Sequence, residues 1–327
     1  MRIKISKSLY YFLKNPWCSN SSTPFLWEDS QAQTKIYWSH SASLTQLSSE
    51  TFRKFLIYQR VPEFYEYGVN FTPSDPTVPR NAISNTGAFI AFSGAKTGRS
   101  PQAKRIVTDD IREKEIGWGS INMPMRNSSF ELLDDIARNY LNSRKRLYIV
   151  DGYAGWDKTE RIKVRVVCTR SYHALFMTNM LVRPTQKELN EDFSEGADYY
   201  IFNAGEFKAN KMIPDVGGET CVALNFAQRK MVILGTQYAG EMKKGVFTIM
   251  NYLMPKKGHL PLHSSCNVGK NGDVCLFFGL SGTGKTALSA VGDRNLIGDD
   301  EHVWTDKGVF NMEGGCYAKC VGLSKDK

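Results

Sequence analysis

The chain has 327 residues, room for about two domains at ~150 residues each, which excludes a mini-protein. Hydrophobic residues make up 42%, charged residues 23% and aromatics 12%, and no apolar run approaches the ~18 residues of a membrane span, so the composition is globular. The net charge is +9, but Arg2, Lys4, Lys7 and Lys14 all precede the first acid, Glu28; the remainder suits small anionic ligands, and neither nucleic acid nor a membrane is expected as a partner.

Residues 1–80 form a leader and a weakly patterned segment, Ser-rich and aromatic-rich at first and then punctuated by Pro62, Pro73, Pro76 and Pro79. The acid-free start resembles an organellar transit peptide only mildly, because arginine is scarce and no cleavage signal follows. A cytoplasmic location is expected, with organellar targeting as the alternative. From about Asn81 the pattern becomes dense. Short apolar runs at 86–92 and 146–150 read as strands, and 161–169 alternates Ile162, Val164 and Val166 with charged neighbours, as a half-buried strand does. Residues 171–182 read as a helix stopped by Arg183-Pro184. Two strands at 220–226 and 230–236 are joined by a polar link. Met242, Val246, Ile249, Met250 and Leu253 then recur at helical spacing up to Pro255, and 273–278 is another apolar strand. Strands and helices mix without a regular βαβ rhythm, so the class is α/β or α+β.

The seven cysteines are odd in number and scattered, which points to free thiols in a reducing compartment. His263-x-x-Cys266 and Cys316-x-x-x-Cys320 do not make a familiar zinc arrangement, and a glycine-rich loop lies between them.

That loop is the sharpest chemical signal. Gly279-Leu280-Ser281-Gly282-Thr283-Gly284-Lys285-Thr286 fits G-x-x-x-x-G-K-[ST] directly after an apolar strand. Glycines let successive N–H groups turn around a phosphate, Lys285 neutralises it, and the Thr286 hydroxyl can ligate magnesium. Asp299-Asp300-Glu301 begins thirteen residues after Thr286 and reads as the metal half of the same site. That spacing leaves barely two helical turns, which disfavours an ordinary switch or motor nucleotide fold. Lys243 and Lys244 fall in the first turn of the helix at 240–255; they are either solvent-facing or part of an anion site with the helix dipole. Arg99, in Ser93-Gly-Ala-Lys-Thr-Gly-Arg99-Ser-Pro101, offers a planar fork for a carboxylate or belongs to a basic surface loop.

Together with I-F-N-A-G-E-F, Y-A-G-E-M-K-K-G, N-Y-L-M-P and L-I-G-D-D-E-H, these segments resemble, in order, the ATP-dependent phosphoenolpyruvate carboxykinase family from about Asn81 onward. The resemblance implies a two-domain fold, with a substrate domain over 81–258 and a P-loop nucleotide- and metal-binding domain opening at 259–327. It implies gluconeogenic conversion of oxaloacetate and ATP to phosphoenolpyruvate, ADP and CO2. By position, Arg99 and Tyr238 would hold substrate. Lys244, His263 and Asp300 would ligate Mn2+, and Gly279 to Ala287 would wrap the triphosphate. Thr286 would hold Mg2+ with Asp299 behind it, and Lys243 would stay cationic near the phosphoryl group. A lysine ligates a metal only as the neutral amine, so Lys244 must give up its proton, which Lys243 and the metal both favour. Family members continue into a region that supplies an adenine pocket and a further arginine. The nucleotide domain is therefore expected to be incomplete here, with weak triphosphate binding and doubtful activity. The alternative reading is a truncated non-catalytic relic that binds phosphate or nucleotide. Cys266, Ala287, Lys208 and Glu219 depart from the family pattern without removing a proposed ligand.

Overall fold

The computed structural model describes residues 56–58, 81–83, 89–144, 146–280 and 283–317. Most of the 1–80 leader, Ser281, Gly282 and Cys320 lie outside the described residues. The first elements are β1 (Leu56–Tyr58), the ribbon β2 (Asn81–Ile83) with β3 (Phe89–Ala91), and β4 (Lys104–Val107). The short α1 (Arg112–Glu115), β5 (Met123–Met125) and α2 (Asn127–Asn142) follow. Next come β6 (Leu147–Ala154), β7 (Ile162–Cys168), α3 (Ser171–Met180) and α4 (Gln186–Asp192). The sheet is completed by β8 (Tyr199–Ala204) and the antiparallel pair β9 (Cys221–Asn225) and β10 (Lys230–Leu234).

These strands form one mixed eight-stranded sheet in the order β1-β6-β7-β8-β10-β9-β4-β5. Both faces are covered. Val164, Val166, Met231 and Ile233 pack with α3 residues such as Phe176 and Met177 on one face, while Val167, Val232 and Leu234 pack with Phe130, Leu133, Ala137 and Leu141 of α2 on the other. Two-sided burial explains why β10 reads as a continuous apolar run, each large side chain contributing about 1.5–3 kcal/mol. It also corrects the half-buried reading of β7. Arg165 is buried and donates from Nε to Oδ1 of Asp151, its register partner on β6, at 2.6 Å. The alternating charge is thus a buried ion pair.

From β10 the chain passes into α5 (Gly240–Lys256), one residue beyond the expected stop at Pro255. A second, five-stranded antiparallel sheet follows: β11 (Leu260–Val268), β12 (Val274–Phe278), β13 (Asn295–Gly298), β14 (Glu301–Thr305) and β15 (Gly308–Asn311), with the one-turn α6 (Lys285–Ser289) between β12 and β13. The long β11 is its centre, pairing β12, β13 and β14, and its register sets His263 opposite Glu301. The mixed α/β class holds. Among the described residues no helix is long and apolar enough to cross a membrane.

Candidate active site

The site lies where the start of α5 meets β11 and the β13–β14 turn. Gly240 opens α5 because a Cβ there would come within 2.4 Å of the Tyr238 ring. Lys243 and Lys244 follow in the first turn, where the helix dipole disfavours cations. Carboxylates outweigh it. Lys243 Nζ lies 2.8 Å from Glu313 and 3.0 Å from Asp300; Lys244 Nζ lies 2.8 Å from Asp300 and 2.6 Å from Glu301. The solvent-facing alternative fails for Lys243, whose side chain is only 4% exposed, and the anions that meet both lysines are the chain's own.

Asp300 is the hub, because its other oxygen lies 2.6 Å from His263 Nε2. Lys244, His263 and Asp300 are therefore brought together across 56 residues of sequence, as the metal assignment requires. Burial opposes ionisation of Asp300, but the His263 hydrogen bond and both lysines outweigh it and hold the carboxyl well below its usual range. Burial likewise opposes charge on Lys243, yet Glu313, Glu301 and Asp300 hold its ammonium well above the usual lysine range. Asp299 is buried with Oδ1 unpartnered, and burial raises its carboxyl against the opposing pull of Lys243.

The phosphate-loop residues stand apart. Gly284 adopts φ +93°, a left-handed turn that glycine permits, and leads into α6, whose shortness matches the spacing argument. Lys285 Nζ folds back to the carbonyls of Gly279 at 2.9 Å and Leu280 at 3.1 Å. Thr283 Oγ1 donates to Leu280 O at 2.8 Å, while Thr286 and Ala287 are exposed. Among the described residues no hydrogen bond or ion pair links Lys285 or Thr286 to the Asp300 cluster.

A cavity of about 220 Å³ opens beside the cluster, lined by Arg99, Lys104, Glu241, Lys244, Thr248 and His263 among others. Glu241 Oε1 accepts from Ser100 N at 2.5 Å and so ties the Arg99 loop to α5. Tyr238 does not line this cavity; its hydroxyl lies 3.4 Å from that of Tyr317.

The loop that carries Tyr238 is held from behind. Arg170 Nη1 donates to Gln237 Oε1 at 2.6 Å, and His173 Nε2 lies 2.7 Å from Gln237 O, so this ring nitrogen must be the donor. Nδ1 is buried without a partner, and burial, with Arg170 nearby, lowers His173 to about 3. An unfolded histidine takes its proton near 6.5, so the unfolded state binds more protons between about 6.5 and 3, and stability falls as the pH falls through that window. Melting curves of the full chain should show this loss, and His173→Gln should flatten it by up to roughly 1.4 kcal/mol per pH unit. Equal slopes for the two proteins would contradict this role.

The donor set at Asp300 fits a divalent ion, since an imidazole nitrogen, an amine and a carboxylate already converge and a metal would take the place of the shared protons. It is an unusual set. Among the described residues no three His, Cys, Asp or Glu side chains form a metal-binding group, so the site depends on Lys244. Local spacing did not find Glu313 or Tyr317, which follow the last strand of the second sheet and meet Lys243 and Tyr238 only in the fold, nor the role of Glu241, although it sits two residues before Lys243 in the first turn of α5.

The phosphoenolpyruvate carboxykinase family model matches residues 74–327. Among curated proteins, phosphoenolpyruvate carboxykinase (ATP) of Dictyostelium discoideum is 58% identical over 248 residues, covering 76% of this chain and 44% of the relative. The Emericella nidulans protein of the same description is 60% identical over 247 residues, covering 75% and 41%. That of Neurospora crassa is 55% identical over 287 residues, covering 86% and 47%. The chain thus spans less than half the length of these relatives. On the match over most of its length, the chain belongs to the ATP-dependent phosphoenolpyruvate carboxykinase family.

Proposed function

We propose that this chain supplies the substrate cavity, metal ligands and phosphate loop for ATP-dependent formation of phosphoenolpyruvate from oxaloacetate, a gluconeogenic step. The observation that carries this reading is the convergence of Lys244 and His263 on one carboxylate, Asp300, at the edge of a cavity that contains Arg99. Residues 81–258 would form the substrate domain, and 259–327 would open the nucleotide- and metal-binding domain. The unpaired cysteines Cys168, Cys221 and Cys266 suit a reducing, cytoplasmic setting.

In the reaction the C3–C4 bond of oxaloacetate breaks, CO2 leaves, and the electron pair moves onto the enolate oxygen. That oxygen attacks the γ-phosphorus of ATP and ADP departs. Mn2+ would be held by Lys244, His263 and Asp300, and Mg2+ by Thr286 with Asp299 behind it. Such ions, when bound, supply Lewis-acid stabilisation of enolate and phosphate charge. Arg99 would hold a substrate carboxylate through its planar fork, with Tyr238 on the adjoining loop. Lys243 keeps its proton and offers a fixed positive charge to the transferring phosphoryl group. A triphosphate entering the Gly279–Ala287 loop would draw Lys285 away from the carbonyls that it now contacts.

The test is a chimera in which residues 81–317 replace the matching segment of the full-length Dictyostelium relative, assayed for phosphoenolpyruvate from oxaloacetate and ATP with Mn2+. Turnover is expected. A folded but inactive chimera, with triphosphate still binding to the 327-residue chain by 31P NMR, would favour the relic reading instead.

A further inference from the structure

The cavity holds more positive charge than the proposed chemistry has used. Lys104 Nζ donates to two neutral oxygens, Asn122 Oδ1 at 2.9 Å and Thr248 Oγ1 at 3.2 Å. Among the described residues no carboxylate lies within ion-pair distance of Lys104 or Arg99. Lys244 is already matched by Asp300 and Glu301, and the one acid lining the cavity, Glu241, is engaged by Ser100 N. Val222, Leu224 and Met231, all buried, complete the wall with apolar surface. Two cations, neither in a direct ion pair among the described residues, therefore share a small, partly apolar cavity in which Glu241 is the one acid and acts on Arg99 only at a distance. That arrangement suits a compact molecule with an anionic group at each end, because the ammonium and the guanidinium each gain in the complex a direct ion pair that they lack in the free chain.

We infer that Lys104 is an anion anchor in this cavity and holds one carboxylate of a four-carbon dicarboxylate while Arg99 holds the other. The inference rests on the proposed function for the identity of the dicarboxylate and adds a residue to its binding site. Burial, and next the charge of Arg99, lower Lys104 to about 8, so an arriving carboxylate also stabilises its protonated form.

The probes are L-malate, with two carboxylates, and L-lactate, which lacks the second, each titrated into the full chain by saturation-transfer NMR. In Lys104→Met the ratio of malate to lactate affinity is expected to fall about 10-fold, the scale of one lost charge-assisted contact. Lys104→Gln, which keeps a polar group near Asn122 and Thr248, should fall similarly, and it carries the test if the methionine variant does not fold. An unchanged ratio in a folded variant, whether both affinities fall together or neither moves, overturns the anchor and leaves the proposed function standing. Failure of the unmodified chain to bind either probe overturns both.

Discussion

Asp300→Asn in the active chimera is expected to lower turnover at least about 100-fold, the scale of losing one preorganised electrostatic contact. One oxygen of Asp300 meets His263 and the other meets both lysines, so a single carboxylate fixes three neighbours. Asparagine keeps the shape and removes the charge. Its amide oxygen can still accept on the lysine side, but its NH2 group then faces His263 Nε2, which must turn from donor to acceptor to keep a hydrogen bond. His263 and Lys244 then lose the group that aligns them, and a divalent ion loses its anionic ligand. The loss should fall on kcat more than on KM for oxaloacetate, because Arg99 and the apolar wall formed by Val222, Leu224 and Met231 are untouched. Raising Mn2+ should recover part of the rate if metal affinity is what fell. Near-normal turnover in the Asp300→Asn chimera would show that the convergence on Asp300 has no part in the chemistry.

The parts of this site that were legible in the sequence are those where chemistry sits at short spacing. The glycine-rich loop with Lys285 and Thr286, the Lys243-Lys244 pair and the Asp299-Asp300 turn each declare themselves within a few residues. What joins them does not. Glu313 meets Lys243 only because β15 returns the chain beside β14, a consequence of register with no local signature. β11 stayed hidden for a different reason. Ser264, Ser265 and Asn267 make it read as polar, yet all three are buried because β11 is paired on both edges; Asn267 donates to Ser289 O on α6 at 3.0 Å, while the hydroxyls of Ser264 and Ser265 are buried without a partner. α2 carries an apolar stripe, Phe130, Leu133, Ala137 and Leu141, but begins at Arg126 without a capping side chain to mark its start. α4 shows the opposite case: its Thr185–Glu188 capping box is written in the sequence, although the helix is only seven residues long. In β7 the periodicity was right and its meaning was not, because alternation describes a two-sided environment only when the charged face has no partner strand able to neutralise it. Asp151 neutralises Arg165 there.

Lys243→Met should be the most destabilising single change in the cluster, and its cost should depend on pH in a direction opposite to that of His173. Lys243 is buried against Glu313, Glu301 and Asp300, and both glutamates are themselves almost wholly buried. Methionine fills a similar volume, so packing is nearly conserved and the lost charge dominates. Removing one partner from a buried ion pair costs about 3–5 kcal/mol, because Glu313 is left with neither water nor a cation, whereas Asp300 and Glu301 still have Lys244. Burial, and then Glu301, already push the Glu313 carboxyl well above its usual range even with Lys243 present. Without the ammonium, Glu313 relieves the strain by keeping a proton. A carboxyl whose folded value lies above its unfolded one binds more protons in the folded state, so that stability is present at low pH and lost as the pH rises through the folded value. The deficit in melting temperature relative to the parent chain should therefore be smaller at pH 5 than at pH 8. Adding Glu313→Gln to Lys243→Met should recover much of the loss at pH 8 by removing the charge that has no partner. The control Lys243→Met with Glu188→Gln, far from the cluster on α4, should recover none. A deficit that stays constant across this pH range, or that both double variants relieve equally, would mean that Lys243 is held by packing and that its charge is not what the buried carboxylates require.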